Sequence, residues 1–165
     1  DAAIIDVGGG DSYLADALLQ EGYNNITVLD ISAKALQNAQ KRLGKNAEKI
    51  KWVESDVLQF HPEKKYDCWH DRAVFHFVTD DKEISAYKKH IATSVKEEGK
   101  LIVGTFSEKG PEKCSGLPVK QYSEKLLSNI LQKWFEKIKC ITTDHITPFK
   151  TVQNFLFCSF QKLSI

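Results

Sequence analysis

Hydrophobic and polar positions along the chain follow two periods that take turns almost to its end. Short apolar runs with strand character cover Ala2 to Gly8 (AAIIDVG), Asn25 to Asp30 (NITVLD), Ile50 to Glu54, Tyr66 to His70 and Lys100 to Phe106 (KLIVGTF). Between them, apolar residues recur at helical spacing. Leu14, Ala17 and Leu18 form the first such set. Leu36, Ala39 and Leu43 form the second, behind a Ser32 N-cap and before Gly44. Ile84, Tyr87, Ile91 and Val95 form the third, behind the capping-box pair Asp80 and Glu83 and ending around Gly99. A stretch rich in Gly, Pro and Ser, from Ser107 to Tyr122, predicts a loop. Ser123 then caps a helix that turns Leu126, Leu127, Ile130, Leu131, Trp134 and Phe135 inward, and the chain closes with two β-rich runs, Ile138 to Thr147 and Val152 to Phe160.

Parallel strands need crossovers, so strand and helix in alternation predict an α/β fold: a doubly wound, mostly parallel sheet with helices on both faces. The final two runs depart from this rule. The turn-like Pro148 to Lys150 is too short for a crossover, so the last pair is expected to be antiparallel, the sixth and seventh strands of the sheet. With 165 residues and no internal repeat, the chain makes a single domain over residues 1–165 with enough core to need neither disulfide nor metal.

Charge adds little. With 23 basic against 22 acidic residues, spread along the chain, nothing advertises a nucleic-acid or membrane partner, and no membrane span or signal peptide is visible. Cys68, Cys114, Cys140 and Cys158 stand far apart and form no CxxC, which argues against a zinc site or redox pair and fits a reducing, cytoplasmic compartment. The absence of methionine, and a first residue already inside an apolar run, lead us to expect a native segment upstream of Asp1. Only Arg42 and Arg72 are arginine in a lysine-rich background, which hints that guanidinium geometry is wanted at Arg72.

Gly8, Gly9 and Gly10 leave the first strand and open the first helix, where backbone can approach a ligand closely. Asp30 ends the second strand 20 residues later, where a carboxylate accepts the hydroxyls of a ribose. The pair fits a nucleoside cofactor. A dinucleotide turn wants a third glycine where Tyr13 stands, and a pyrophosphate would sit badly beside Asp6 and Asp11; a phosphate-free cofactor carrying a sulfonium and an ammonium suits that acidic rim better.

Over essentially its whole length the sequence resembles the class I S-adenosylmethionine-dependent methyltransferases, which implies a Rossmann-like fold. Asp6-Val7-Gly8-Gly9-Gly10 resembles their first motif, Asp30 their acidic residue after the second strand, and Glu54-Ser55-Asp56-Val57 their adenine-binding segment. The resemblance implies S-adenosylmethionine as cofactor and S-adenosylhomocysteine as product. It implies that Gly8 to Gly10 line the methionine portion, Asp30 holds the ribose, Ile31 packs on adenine, and Asp56 with the Val57 backbone reads the adenine edge. Ser12 replaces the family's commonest glycine after this turn. Asp6 either stands beside the cofactor or bonds backbone around the turn, and Asp56 alone could equally cap a turn.

The stretch WHDRAVFHF, Trp69 to Phe77, sets His70, Asp71, Arg72 and His76 among aromatic and aliphatic residues. Burying such groups costs several kcal/mol unless each is paired, so the cluster is either a satisfied structural knot or the wall of a site. As a site, it places Asp71, Arg72 and His76 where they orient or deprotonate a methyl acceptor. As a knot, Asp71 caps a turn with Arg72 as its ion pair and His76 is a core histidine. His70 either lines the cofactor pocket or bonds beneath it. The Asp71-Arg72 segment and the Gly110 to Val119 loop also resemble thiopurine and related small-thiol methyltransferases, which implies an Asp71 and Arg72 pair facing the acceptor. Cys114, beside Lys113 in that loop, either touches a soft acceptor or has no such role. The expected activity is methyl transfer to a small molecule by a monomer or weak homodimer without a metal. The alternatives are a lysine-directed protein methyltransferase and a non-catalytic nucleoside-binding module.

Overall fold

The computed structural model describes residues 1–147 and 150–164. Seven strands form one sheet in the order β3-β2-β1-β4-β5-β9-β8. The first four in chain order are β1 (Ile4–Val7), β2 (Ile26–Asp30), β3 (Ile50–Glu54) and β4 (Tyr66–Arg72). β5 (Val95–Phe106) completes the parallel part; β8 (Phe135–Ile146) and β9 (Val152–Lys162) run antiparallel, with β9 placed between β5 and β8. The expected doubly wound α/β sheet with an antiparallel terminal pair is therefore present. Pro148 and Phe149, in the predicted turn between these strands, lie outside the described residues. The predicted loop after β5 contains a small hairpin, β6 (Lys113–Cys114) and β7 (Leu117–Pro118). Its turn is made by Ser115 and Gly116 with φ of 51° and 82°.

Strand residues alternate between the faces, and the two faces carry different cores. Ile5, Trp69, Leu101 and Phe160 pack under α3 (Asp81–Ser94) and α4 (Glu124–Leu131), with Tyr87, Ile91 and Leu127 fully buried there. Ile26, Val28 and Ile50 face α1 (Leu14–Gln20) and α2 (Ala33–Leu43), packing on Ala15 and Leu36. Three caps arise where the sequence marks them: Ser32 accepts from Ala35 N–H, Asp80 from Lys82 and Glu83 N–H, and Ser123 from Leu126 N–H. α3 ends at Ser94, short of Gly99, because Val95 already pairs with Tyr66 as the start of β5. In α1 the buried residue is Ala15, and Ala17 is exposed.

The cysteine reading needs correction. Cys140 and Cys158 are directly opposed on β8 and β9 and form a disulfide across the pair, so their distance in sequence did not keep them apart, and the cysteines no longer argue for a reducing compartment. Cys68 and Cys114 are free. Among the described residues no helix is long and apolar enough to cross a membrane.

Candidate active site

The turn after β1 is built around glycine for reasons internal to the protein. Gly8 has φ of +71°, and a Cβ there would stand 2.3 Å from Val74 Cγ2. A Cβ on Gly9 would strike the Asp6 carboxylate at 2.3 Å. Gly10 donates its N–H to Asp30 Oδ2 at 2.9 Å, while Asp30 Oδ1 accepts from Ser32 N–H at 2.8 Å. Asp30 is thus held by two backbone donors, and each oxygen keeps acceptor capacity for a further partner.

A cavity of about 560 Å³ opens beyond the carboxyl ends of β1, β2, β3 and β4. Gly8, Asp30, Ile31, Asp56, Val57 and Arg72 share its wall with Phe77, Glu83 and Leu117. Ile31 is 73% exposed and presents bare hydrocarbon beside Asp30. Asp56 Oδ1 accepts from Leu58 N–H at 2.8 Å, which is the turn-capping role; Oδ2 makes no bond within the described residues. Leu117, 59% exposed on the β6–β7 hairpin, reaches the same wall from the side of the Gly110 to Val119 loop.

Asp71 and Arg72 are not partners. As neighbours on a strand they point to opposite faces. Asp71 is fully buried: Oδ1 accepts from Val74 and Phe75 N–H at 3.0 and 3.2 Å, and Oδ2 accepts from the Tyr87 hydroxyl. Burial pushes this carboxyl up to about 6, with those hydrogen bonds opposing the shift. The expectation that Asp71 faces the acceptor is therefore corrected; it closes the turn after β4 against α3. His76 is also fully buried, stacked on Phe106 at 4.4 Å and accepting the Phe106 N–H through Nδ1 at 3.3 Å. Burial lowers its pKa to about 4, so it is a neutral core histidine and the expectation of a catalytic role is corrected. Arg72 alone of the three lines the cavity, and its guanidinium makes no hydrogen bond or ion pair among the described residues.

Asp6, Gly9, Gly10 and His70 are not among the residues that line the large cavity. Asp6, 1% exposed, bonds His70 Nδ1 through Oδ1 at 2.7 Å. His70 borders a neighbouring open cleft of about 480 Å³ with Asp11, Ser12, Tyr13, Leu14, Arg72 and Phe157. The register of β1 against β4 accounts for this bond: Asp6 and His70 are cross-strand partners on one face. Cys114 lines neither space.

The model of a family described as "Methyltransferase domain" matches residues 4–99, more than half of the chain. The chain belongs to this methyltransferase family. Its fold matches solved class I S-adenosylmethionine-dependent methyltransferases along its whole length. The methyltransferase from Methanosarcina mazei superposes with a TM-score of 0.79 at 18% identity, covering 100% of this chain and 94% of that one. The N-methyltransferase NodS of Bradyrhizobium japonicum gives 0.78 at 16% identity, with 99% and 86% covered. By sequence, the methyltransferase domain is 28% identical over 164 residues to malonyl-[acyl-carrier protein] O-methyltransferase 1 of Ilyobacter polytropus, covering 93% of this chain. It spans 60% of that curated relative's length.

Proposed function

We propose that the chain transfers a methyl group from S-adenosylmethionine to a small-molecule acceptor and releases S-adenosylhomocysteine. The carrying observation is the 560 Å³ cavity at the carboxyl ends of the strands, in which Asp30, Ile31 and Asp56 converge with Arg72. The donor set suits an adenosine: Asp30 keeps lone pairs for ribose hydroxyls, Ile31 offers an apolar face for the base, and Asp56 Oδ2 with the Val57 backbone takes its edge. Asp30, Asp56 and Glu83 outnumber Arg72 on the wall, which suits a cationic, phosphate-free cofactor better than a pyrophosphate. Arg72, whose guanidinium has no counter-ion among the described residues, orients the acceptor. Family membership supports the reaction class. The names of the relatives, acting on malonyl-acyl carrier protein or as N-methyltransferases, favour neither a lysine-directed enzyme nor a module without activity.

Calorimetry tests the reading. S-adenosylhomocysteine should bind and NAD should not. Asp30→Asn, which keeps the shape but can place an amide hydrogen against the ribose, should weaken binding at least tenfold, about 1.4 kcal/mol. Saturable NAD binding, or no heat with S-adenosylhomocysteine, overturns it.

A further inference from the structure

Asp6 and His70 are the pair of ionisable side chains that this methyltransferase reading leaves without a task. They sit on adjacent strands at the same register, bonded at 2.7 Å, the carboxylate buried and the imidazole edge at a cleft. Such a bond fixes a tautomer. A carboxylate accepts, so Nδ1 carries the proton, and Nε2 is left as a bare acceptor. Nε2 has no partner within the described residues. The cleft it borders has Arg72 in common with the large cavity, so this guanidinium, unpaired among the described residues, stands between the imidazole and that cavity.

The surroundings keep the arrangement in place. Gly9 has no Cβ to displace the Asp6 carboxylate, whose second oxygen is buried without a partner among the described residues. Gly104 on β5 likewise yields its volume to the Phe157 ring, 2.5 Å from where its Cβ would be, and Phe157 walls the cleft from β9. The charged and titratable groups facing His70 are Asp6 from β1, Asp11 and Tyr13 from the turn and start of α1, and Arg72 from β4; β5 and β9 contribute none. Asp11 is in turn drawn to Arg42 at 3.6 Å.

We propose that His70 is the general base of the transfer and Asp6 its positioning residue, and hence that the acceptor arrives with a proton on its nucleophile: an amine, thiol or hydroxyl, not a carboxylate. The inference rests on the methyltransferase reading above. A lone pair of the acceptor's N, S or O forms the bond to the methyl carbon. The carbon–sulfur bond breaks with its electron pair going to sulfur, turning the sulfonium into a neutral thioether. The acceptor's proton passes to His70 Nε2, the imidazolium is stabilised by Asp6, and the proton then leaves to solvent through the open cleft.

Two measurements test this. Nitrogen-15 NMR of histidine-labelled protein bound to S-adenosylhomocysteine should show His70 in the Nδ1–H form at neutral pH, and Asp6→Asn should abolish that preference. An Nε2–H form in the wild type overturns the proposal. Release of S-adenosylhomocysteine is then followed with four probes: benzylamine, benzyl mercaptan, phenol and the thioester of malonate with N-acetylcysteamine. One of the three protic probes should turn over, with a rate that rises with pH along a limb that His70→Gln removes. In that variant kcat should fall about 100-fold or more, while affinity for S-adenosylhomocysteine stays within about twofold. Turnover of the carboxylate alone, or of no probe while the cofactor product binds, overturns the acceptor class. A His70→Gln variant that loses product affinity but keeps kcat makes His70 a cofactor ligand and overturns the base. Failure of the wild type to bind S-adenosylhomocysteine is a different result, because it removes the underlying reading.

Discussion

At the scale of single residues, the fate of WHDRAVFHF turns on which side of β4 each side chain takes. Asp71 is sealed against Tyr87 of α3 and His76, just past the strand, against Phe106, and their protonation opposes in sign. Asp71, raised to about 6 by burial from an ordinary 3.8, holds its proton more firmly folded than unfolded. Its contribution is full below about pH 4 and lost as pH rises through about 6. His76, lowered to about 4 from 6.5, is protonated first in the unfolded chain, so its contribution is present above 6.5 and lost as pH falls towards 4. Urea unfolding across pH 4 to 6.5 separates the two. Relative to wild type, Asp71→Asn should lose stability as the solution is acidified, and His76→Phe should gain it. Tyr87→Phe removes the hydroxyl donor to Asp71 and leaves a buried oxygen unsatisfied, which should cost about 1–3 kcal/mol in the same assay at pH 7.

Elements divide into those that local chemistry specifies and those that need a distant partner. The Ser32, Asp80 and Ser123 caps and the strand runs were legible because each depends on neighbours a few residues away. The end of α3 was not, since its last predicted turn is claimed by pairing of Val95 with Tyr66. The choice between the two readings of Asp71 was not, since its partner Tyr87 stands 16 residues on in the following helix, nor was the partner of His70, Asp6, 64 residues earlier. That Gly8, Asp30, Ile31, Asp56 and Val57 share one cavity was easier: they fall at consecutive strand ends, and the fold gathers strand ends by construction. The glycine turn gives the element-scale prediction. Gly9→Ala has no positive φ to strain it, so its damage should come from the Asp6 carboxylate it displaces. We expect the imidazole signals of His70 to change, with a loss of about 1–3 kcal/mol of stability from overpacking, measured by urea unfolding.

For the whole molecule, the sheet is closed by a disulfide that no sequence pattern announced, because Cys140 and Cys158 meet only once β8 and β9 are in register. The bond spans 18 residues, and its reduction should lower the unfolding free energy by about 3 kcal/mol on the loop-entropy scale. Mass spectrometry of the alkylated, unreduced protein should leave Cys68 and Cys114 labelled and the other two joined. The strand order holds a further consequence. β9 lies between β5 and β8, so the strand made earlier cannot reach the sheet until the one made later has arrived. On the ribosome, twelve residues of β8 must therefore wait with both edges unpaired and with Ile138, Ile141 and Ile146 open to other chains. The most vulnerable moment in the life of this domain falls just before synthesis of β9 is finished, when the strands that wall the large cavity are already assembled and the far edge has nothing to join.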